Sequence, residues 1–304
     1  MGIGTIINNV IPNRRTKIVF GSGAGYRPLP SIIDNSWYFA CVRGPLTARV
    51  LGLPERSSVT DGAILLGLLP EAASKAGSER SGIVFMPHVS ALAAGNWREV
   101  CKDAGVEFLD PTGNSQKNVE RIRCANLVIA DAMHAAIVAD TLRVPWVPSI
   151  SSNEINSFKW VDWTLSMEVP YCPKTLPKSS SFEQIRSAMS GIMGSRHCVA
   201  DPQEDLVLKE YYRMCRRKLS NKHRIINRTA STLHRLVLKK AWRSQLLSPL
   251  RSERDKRCHE NAVIALRELS KNEGYLSKEI VFRRKLEEME SRLADVKTNL
   301  LRAS

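Results

Sequence analysis

Cys124-Ala125-Asn126-Leu127-Val128-Ile129-Ala130-Asp131-Ala132-Met133-His134-Ala135-Ala136-Ile137-Val138-Ala139-Asp140-Thr141-Leu142-Arg143-Val144-Pro145-Trp146-Val147-Pro148 reads as a strand, a tight turn, a helix and a second strand. The uncharged run Leu127 to Ala130 suits a parallel strand covered on both faces, which has no polar side to alternate with. Asp131 and Ala132 turn the chain. From His134 to Leu142, Ala, Ile, Val and Leu recur at helical spacing, and Val144 to Val147 reads as the next strand. Turns after the strands of an open parallel sheet lie at its carboxyl edge, where such sheets bind ligands. His134 stands there, in the first turn of the helix. Its ring titrates near neutral pH and can pass a proton, and a helix start also favours an oxyanion. A histidine satisfied by a neighbouring carbonyl is the plain structural alternative, and local pattern does not separate the two.

The same strand-and-helix theme runs upstream. Lys17 to Phe20 reads as a strand followed at once by Gly21-Ser22-Gly23-Ala24-Gly25. Glycines there let backbone N–H groups approach an anion, although the spacing is neither a Walker A loop nor a full GxGxxG, and a tight structural turn is the alternative. Trp37 to Val42 is the next strand and delivers Arg43 to the carboxyl edge, with Pro45 suited to a first helical turn. Arginine at that edge can grip a carboxylate or phosphate in two-pronged fashion. Residues 57–66 read as a strand, a turn and a short helix, with Asp61 either capping the helix or serving the site. Residues 70–81 read as a linker. Beyond it, Gly82 to Met86 (ending on Pro87-His88), a helix over 91–104, a strand over 106–111 and a helix over 114–124 lead into the central stretch. Alternating strands and helices over residues 1–150 predict a parallel sheet with helices on both faces.

The later residues differ in kind. Residues 151–180 hold Trp160, Trp163, Tyr171 and several prolines, and read as an irregular, partly buried crossing. From Ser181 the pattern is helical. Phe282, Leu286, Met289, Leu293, Val296 and Leu300 form a heptad stripe, which either packs on its own protein or pairs two chains.

The formal net charge is +15, and residues 201–304 carry 25 Lys and Arg against 14 Asp and Glu. Such a basic tail suits anionic lipid head groups, nucleic acid or an anionic substrate. Arg213-Met214-Cys215-Arg216-Arg217-Lys218 and Lys239-Lys240 keep peripheral contact with an anionic membrane open. Few aromatics and no recognised module speak against nucleic acid. The seven cysteines form no CxxC pair, which argues against a disulfide framework or a zinc site and fits a reducing cytosol. No run reaches the length of a membrane span, and the first residues lack the basic and cleavage features of a signal peptide.

Six motifs then occur in one order: Gly2-Ile3-Gly4-Thr5-Ile6, Phe20-Gly21-Ser22-Gly23-Ala24-Gly25-Tyr26, Val42-Arg43-Gly44-Pro45-Leu46-Thr47, Asp61-Gly62-Ala63-Ile64-Leu65, Met86-Pro87-His88 and Met133-His134-Ala135-Ala136-Ile137-Val138-Ala139-Asp140. Over roughly residues 1–150 the chain resembles the polysaccharide pyruvyltransferase family, and within it the branch that adds a pyruvate ketal in succinoglycan-type exopolysaccharide assembly.

The resemblance implies two Rossmann-like halves of glycosyltransferase-B-like arrangement, over 1–75 and 76–180. A basic helical extension over 181–304 would follow, with a candidate coiled coil at 279–301. It implies phosphoenolpyruvate as donor, a lipid-linked oligosaccharide or polysaccharide as acceptor, no nicotinamide cofactor, no metal, and a cytoplasmic location at the inner membrane face. His134 maps onto the family's general acid and Arg43 onto its donor-gripping arginine. Gly21, Ser22, Gly23, His88 and Asp61 complete the candidate substrate-binding set.

Two departures accompany it. Ala132 occupies the place of a family arginine, for which His88, Arg121, Arg123 or Arg143 would have to substitute. Family members also begin with a strand and an N-x-G-D loop ahead of Gly-Ile-Gly-Thr, so the chain is expected to start inside its first sheet, as a truncated relative or from an upstream start. A nucleotide-sugar glycosyltransferase, a non-catalytic scaffold and a homodimer through the heptad stripe are the competing expectations.

Overall fold

Short apolar runs form the strands, and their burial on both faces explains why they carry so little polar alternation. In the computed structural model, which describes residues 1–12, 15–70, 79–192, 194–220 and 248–303 (side chains of 248–251 and 299–303 excepted), Lys17–Phe20 (β1) and Trp37–Cys41 (β2) pair in parallel. Ile83–Met86 (β3), Glu107–Phe108 (β4), Leu127–Ala130 (β5), Trp146–Ile150 (β6) and Lys174–Thr175 (β7) form a second, five-stranded parallel sheet in the order β4-β3-β5-β6-β7. Val84, Met86, Val128 and Ala130 pack into one core cluster, whereas Phe85, Leu127, Ile129 and Val147 pack into another. Both faces of the sheet are therefore covered. The strand order reverses between β3 and β5, and a reversal of that kind opens a crevice at the carboxyl ends of the two strands.

Ten α-helices accompany the strands among the described residues: Pro45–Leu51 (α1), Val89–Leu92 (α2), Trp97–Ala104 (α3), Ser115–Arg123 (α4), Met133–Thr141 (α5), Ser157–Ser166 (α6), Ser181–Ser190 (α7), Glu204–Leu219 (α8), Ser248–Leu269 (α9) and Glu279–Ala303 (α10). Caps fix several starts. Asn114 and Asn156 accept from Lys117 N and Lys159 N, and Asp61 caps the 3-10 helix Gly62–Leu68 by accepting from Ala63 N.

Several expectations need correction. Ile3 and Ile6 are exposed and only Ile7 is buried, so the opening residues form bends rather than a strand end. Residues 57–60 supply a single bridge, Val42 to Ser58, and no strand. The helix expected over 91–104 is two helices, broken at Gly95-Asn96, where Ser179 Oγ accepts the Asn96 N–H. The strand after α5 runs to Ile150 rather than stopping at Val147. Most consequential is 151–180. Its centre is a regular helix, α6, of which Leu165 alone is not buried.

The heptad stripe is answered by the chain itself. Phe282, Met289 and Val296 are buried in the main core cluster, with Leu286 and Leu293 packed against it, and Met289 Sδ lies 3.6 Å from Cys41 Sγ of β2. That face is not available for pairing two chains. Lys218 Nζ and Arg217 Nη2 of the basic run on α8 likewise donate to the carbonyls of Tyr26 and Gly191. Most of the 70–81 linker (71–78), Lys239-Lys240 and the Leu300 side chain lie outside the described residues. Among the described residues, no helix is long and apolar enough to cross a membrane.

Candidate active site

Asp131, the residue directly after β5, is fully buried and ties three strand ends together. Its carboxylate accepts the His88 N–H after β3 at 2.7 Å and the Ser151 N–H after β6 at 2.7 Å, together with the Ser151 hydroxyl. Burial pushes the Asp131 carboxyl up to about 6 despite these donors. The crevice edge is thus held by one acid at the switch point. Ring Nδ1 of His88 lies 2.7 Å from Ser90 Oγ and its Nε2 lies 3.4 Å from Tyr26 Oη. Burial, with Lys159 and Arg186 nearby, lowers His88 to about 3, so its ring is neutral.

The amino-terminal motif forms the opposite wall. Gly23 N donates to Gly4 O, and Ser22 Oγ donates to Met1 O. Arg43 is fully buried among these segments. Its Nε and Nη2 each lie 2.9 Å from Asp162 Oδ2 of α6, its Nη1 donates to Thr5 Oγ1, and its Nη2 donates to Ala24 O. Asp162 also accepts from Thr47 N and Thr47 Oγ1. A Cβ on Gly23 would fall inside the Arg43 guanidinium, and one on Gly44 inside the Asp162 carbonyl oxygen. Those two glycines let the loop and the α1 start close on the ion pair. The amides of Gly21, Gly23 and Ala24 donate to Cys41 O, Gly4 O and Thr47 Oγ1, so they hold the loop's own shape.

Between the walls, His134 faces Asp61. Nε2 of His134 and Oδ2 of Asp61 are 3.8 Å apart. Both atoms are buried and neither has a hydrogen-bond partner among the described residues. Buried polar atoms are nearly always paired, and an unpaired one typically costs about 1–3 kcal/mol. The His134 side chain as a whole is 45% exposed although its Nε2 is buried, so part of the ring reaches solvent. Burial lowers the His134 pKa, Asp61 raises it, and Lys159 and Arg43 lower it further. Burial raises the Asp61 pKa, with His134 the largest opposing influence. At this distance the two groups bias each other's protonation without sharing a hydrogen bond.

Lys159, in the first turn of α6, completes the cluster. Its residue is 8% exposed, its ammonium lies 5.0 Å from the Tyr26 ring centroid, and it has no hydrogen-bond acceptor among the described residues. Burial and Arg43 lower its pKa to about 7, against the pull of Asp131 and Asp61.

The structure therefore brings His134, Asp61, His88, Arg43 and the Gly21-Ser22-Gly23 loop together, with Arg43 and the loop amides facing inward to the protein. Arg121 pairs with Glu107, Arg123 with Glu120, and Arg143 with the Ser277 carbonyl and Glu279, so none of them stands in for an arginine at position 132. Sequence reading missed Asp131, Asp162 and Lys159. Asp131 had a signal in its place after a strand; the other two lie in a segment read as irregular. A cavity of about 280 Å³ opens elsewhere, between Cys172, Lys174 and Tyr275. Among the described residues, no group of three or more His, Cys, Asp or Glu could hold a metal ion.

The family model described as polysaccharide pyruvyl transferase matches residues 3–153. The chain is 37% identical over 185 residues to the succinoglycan biosynthesis protein ExoV of Rhizobium meliloti (strain 1021), a match that covers 60% of this chain and 58% of that protein. The match thus spans a little over half of that relative's length. No solved structure matches the chain.

Proposed function

Residues 3–153 belong to the polysaccharide pyruvyl transferase family, and from that premise we propose that the protein is a ketal pyruvyltransferase. It would move the enolpyruvyl group of phosphoenolpyruvate onto two hydroxyls of one sugar in an exopolysaccharide repeat unit. In this reading residues 1–75 and 76–180 are two Rossmann-like halves flanking the crevice, and the described residues from 181 on form a helical extension. The acceptor, a lipid-linked oligosaccharide or polysaccharide, would be met in the cytoplasm at the membrane face.

The observation that carries the reading is the orphaned pair, His134 Nε2 and Asp61 Oδ2, set at the carboxyl edge of parallel strands. Ketal formation needs a proton on C3 of the donor, so that C2 gains oxocarbenium character. Two sugar oxygens then bond to C2 and the C2–O bond to phosphate breaks. One hydroxyl proton balances the methyl group formed, and the other leaves on inorganic phosphate. His134 is the acid that delivers the first proton, and Asp61 restores it from an incoming hydroxyl. A lowered pKa leaves His134 neutral in the empty site. The anionic donor raises it, so the acid is armed only when the donor is present. Arg43 acts through Asp162 and Thr5 to hold the loop and α6 in register, a positioning role.

His134→Gln and Asp61→Asn should each lower kcat by about 10²–10⁴-fold while retaining or slightly raising the melting temperature. Phosphate release from phosphoenolpyruvate with a polysaccharide acceptor checks the first part and a melting curve the second; full activity in His134→Gln would sink the mechanism. A non-catalytic relative is the second reading, favoured by Ala132 and by the inward pairing of Arg43. It predicts no melting shift with phosphoenolpyruvate. Stabilisation by a nucleotide-sugar instead would move the assignment to glycosyl transfer.

A further inference from the structure

We propose that α10, which lies outside the matched residues 3–153, is a positioning element for His134 and Asp61. Gly67 is the point through which it sets the distance between them. The role rests on reading those two residues as the proton-handling pair of the reaction.

No hydrogen bond joins His134 Nε2 to Asp61 Oδ2, so their 3.8 Å separation is set by what holds their helices together. The two helices run side by side in the same direction. Asp61, at the start of Gly62–Leu68, faces His134 in the first turn of α5. At the other end, a Cβ on Gly67 would stand 3.6 Å from Thr141 Cγ2 in the last turn of α5. The same Cβ would stand 3.2 Å from Phe282 Cζ and 3.4 Å from Leu286 Cδ2 of α10, inside the separation of about 3.5–4.0 Å at which carbon atoms pack best. A residue without a side chain at position 67 thus lets the 3-10 helix, α5 and α10 close on one point.

α10 is itself fixed to both halves. Toward residues 76–180, the buried Asp140 of α5 accepts the Ser277 N–H at 2.8 Å and the Ser277 hydroxyl at 2.6 Å, just ahead of α10. Arg143 donates to the Ser277 carbonyl, pairs with Glu279 and lies 5.1 Å from the Phe282 ring centroid. Toward residues 1–75, Met289 meets Cys41, and Arg292 donates to the carbonyls of Ala40 and Arg56. The helix straps the element that carries Asp61 to the one that carries His134.

Distance matters here because attraction between charges falls as they separate. Burial lowers the proton affinity of His134, Asp61 raises it, and Lys159 and Arg43 lower it further. Moving the 3-10 helix off α5 weakens the Asp61 contribution, so the His134 proton should be held less tightly.

The test is an NMR titration of His134 in the full chain, assigned by the signal lost in His134→Gln. Gly67→Val wedges the three helices apart. A gap wider by about 1 Å should lower the His134 midpoint by roughly half to one pH unit. His259, which faces Asp103 instead, is the internal reference. Gly67→Val with Leu286→Ala, which clears space for the wedge, should return the midpoint toward the wild-type value. Gly67→Ala is the milder wedge should the valine variant fold poorly. A midpoint that does not fall in a folded wedge variant, or that Leu286→Ala does not restore, overturns the proposal. Turnover is read separately: the wedge should lower kcat for pyruvyl transfer roughly 10- to 100-fold and leave KM for phosphoenolpyruvate unchanged. A reversible fall in the midpoint, in a protein whose wild type transfers no pyruvyl group, would leave the positioning role standing and remove the proposed reaction.

Discussion

Arg43 shows how a residue legible in the sequence can carry a role that is not. Its place at the end of β2 follows from the strand before it and the proline two residues on. Its partner, Asp162, is 119 residues away in a segment without an amphipathic pattern, so nothing local announces the pair. Both side chains are fully buried, and removing one partner leaves an unpaired charge inside the protein. Arg43→Met should therefore lower unfolding stability by about 3–5 kcal/mol, read from the urea midpoint. Pairing it with Asp162→Asn should recover part of that loss, because the stranded charge is gone. An arginine whose only duty was to grip the donor would instead weaken donor binding and leave the midpoint unmoved. His134 and Asp61 were both legible as candidates, one from its helical turn and one from its capping position. That they face each other across 3.8 Å with unpaired atoms required the packing of the 3-10 helix Gly62–Leu68 against α5, a contact between the two sequence halves.

Helices divide by how much of their surface the core covers. α10 has one buried stripe, and its period of three and four residues is plain in the sequence. What the stripe meets is not, because a heptad seam looks the same whether it faces β2 or a second chain. α6 is buried nearly all round; a helix covered on every side loses its polar face and with it the 3.6-residue signature. That loss made its tryptophans and serines read as irregular chain, and hid Lys159 and Asp162 with them. The strands β1, β2, β3 and β5 were legible because buried parallel strands are short uncharged runs. The β4 and β6 boundaries moved because tertiary pairing sets strand ends. The covered seam has a consequence for α10: Met289→Ala, at a fully buried position, should cost about 2–5 kcal/mol and leave the oligomeric state as it was. Denaturation and light scattering on the same sample check both halves. A variant of unchanged stability that altered the subunit number would show the stripe facing another chain.

Across the whole molecule the burial of ionisable groups, rather than the basic net charge, shapes the response to pH. His88 and His197 are lowered by burial to about 3, so between about pH 6.5 and 3 the unfolded chain binds protons that the folded chain refuses. Stability in that window falls as pH falls. Asp131, raised to about 6, works the other way between about pH 6 and 3.8, where the folded state holds the extra proton, but one carboxyl opposes two histidines. The melting temperature should therefore drop on acidification from pH 6.5 to 4. Lys159, lowered to about 7, acts in a separate window. Above pH 7 its unfolded form still carries a proton that the folded form has shed, so stability rises with pH. Cys41 and Cys101, pushed up to about 12, oppose that rise only as their unfolded thiols begin to ionise near pH 9. The range from pH 7 to 8.5 is thus where the lysine's influence should be cleanest. Melting curves of wild type and Lys159→Met across it should show an upward slope in the first and a flatter one in the second. Parallel slopes would mean that the ammonium is not held against burial and Arg43 in the folded protein.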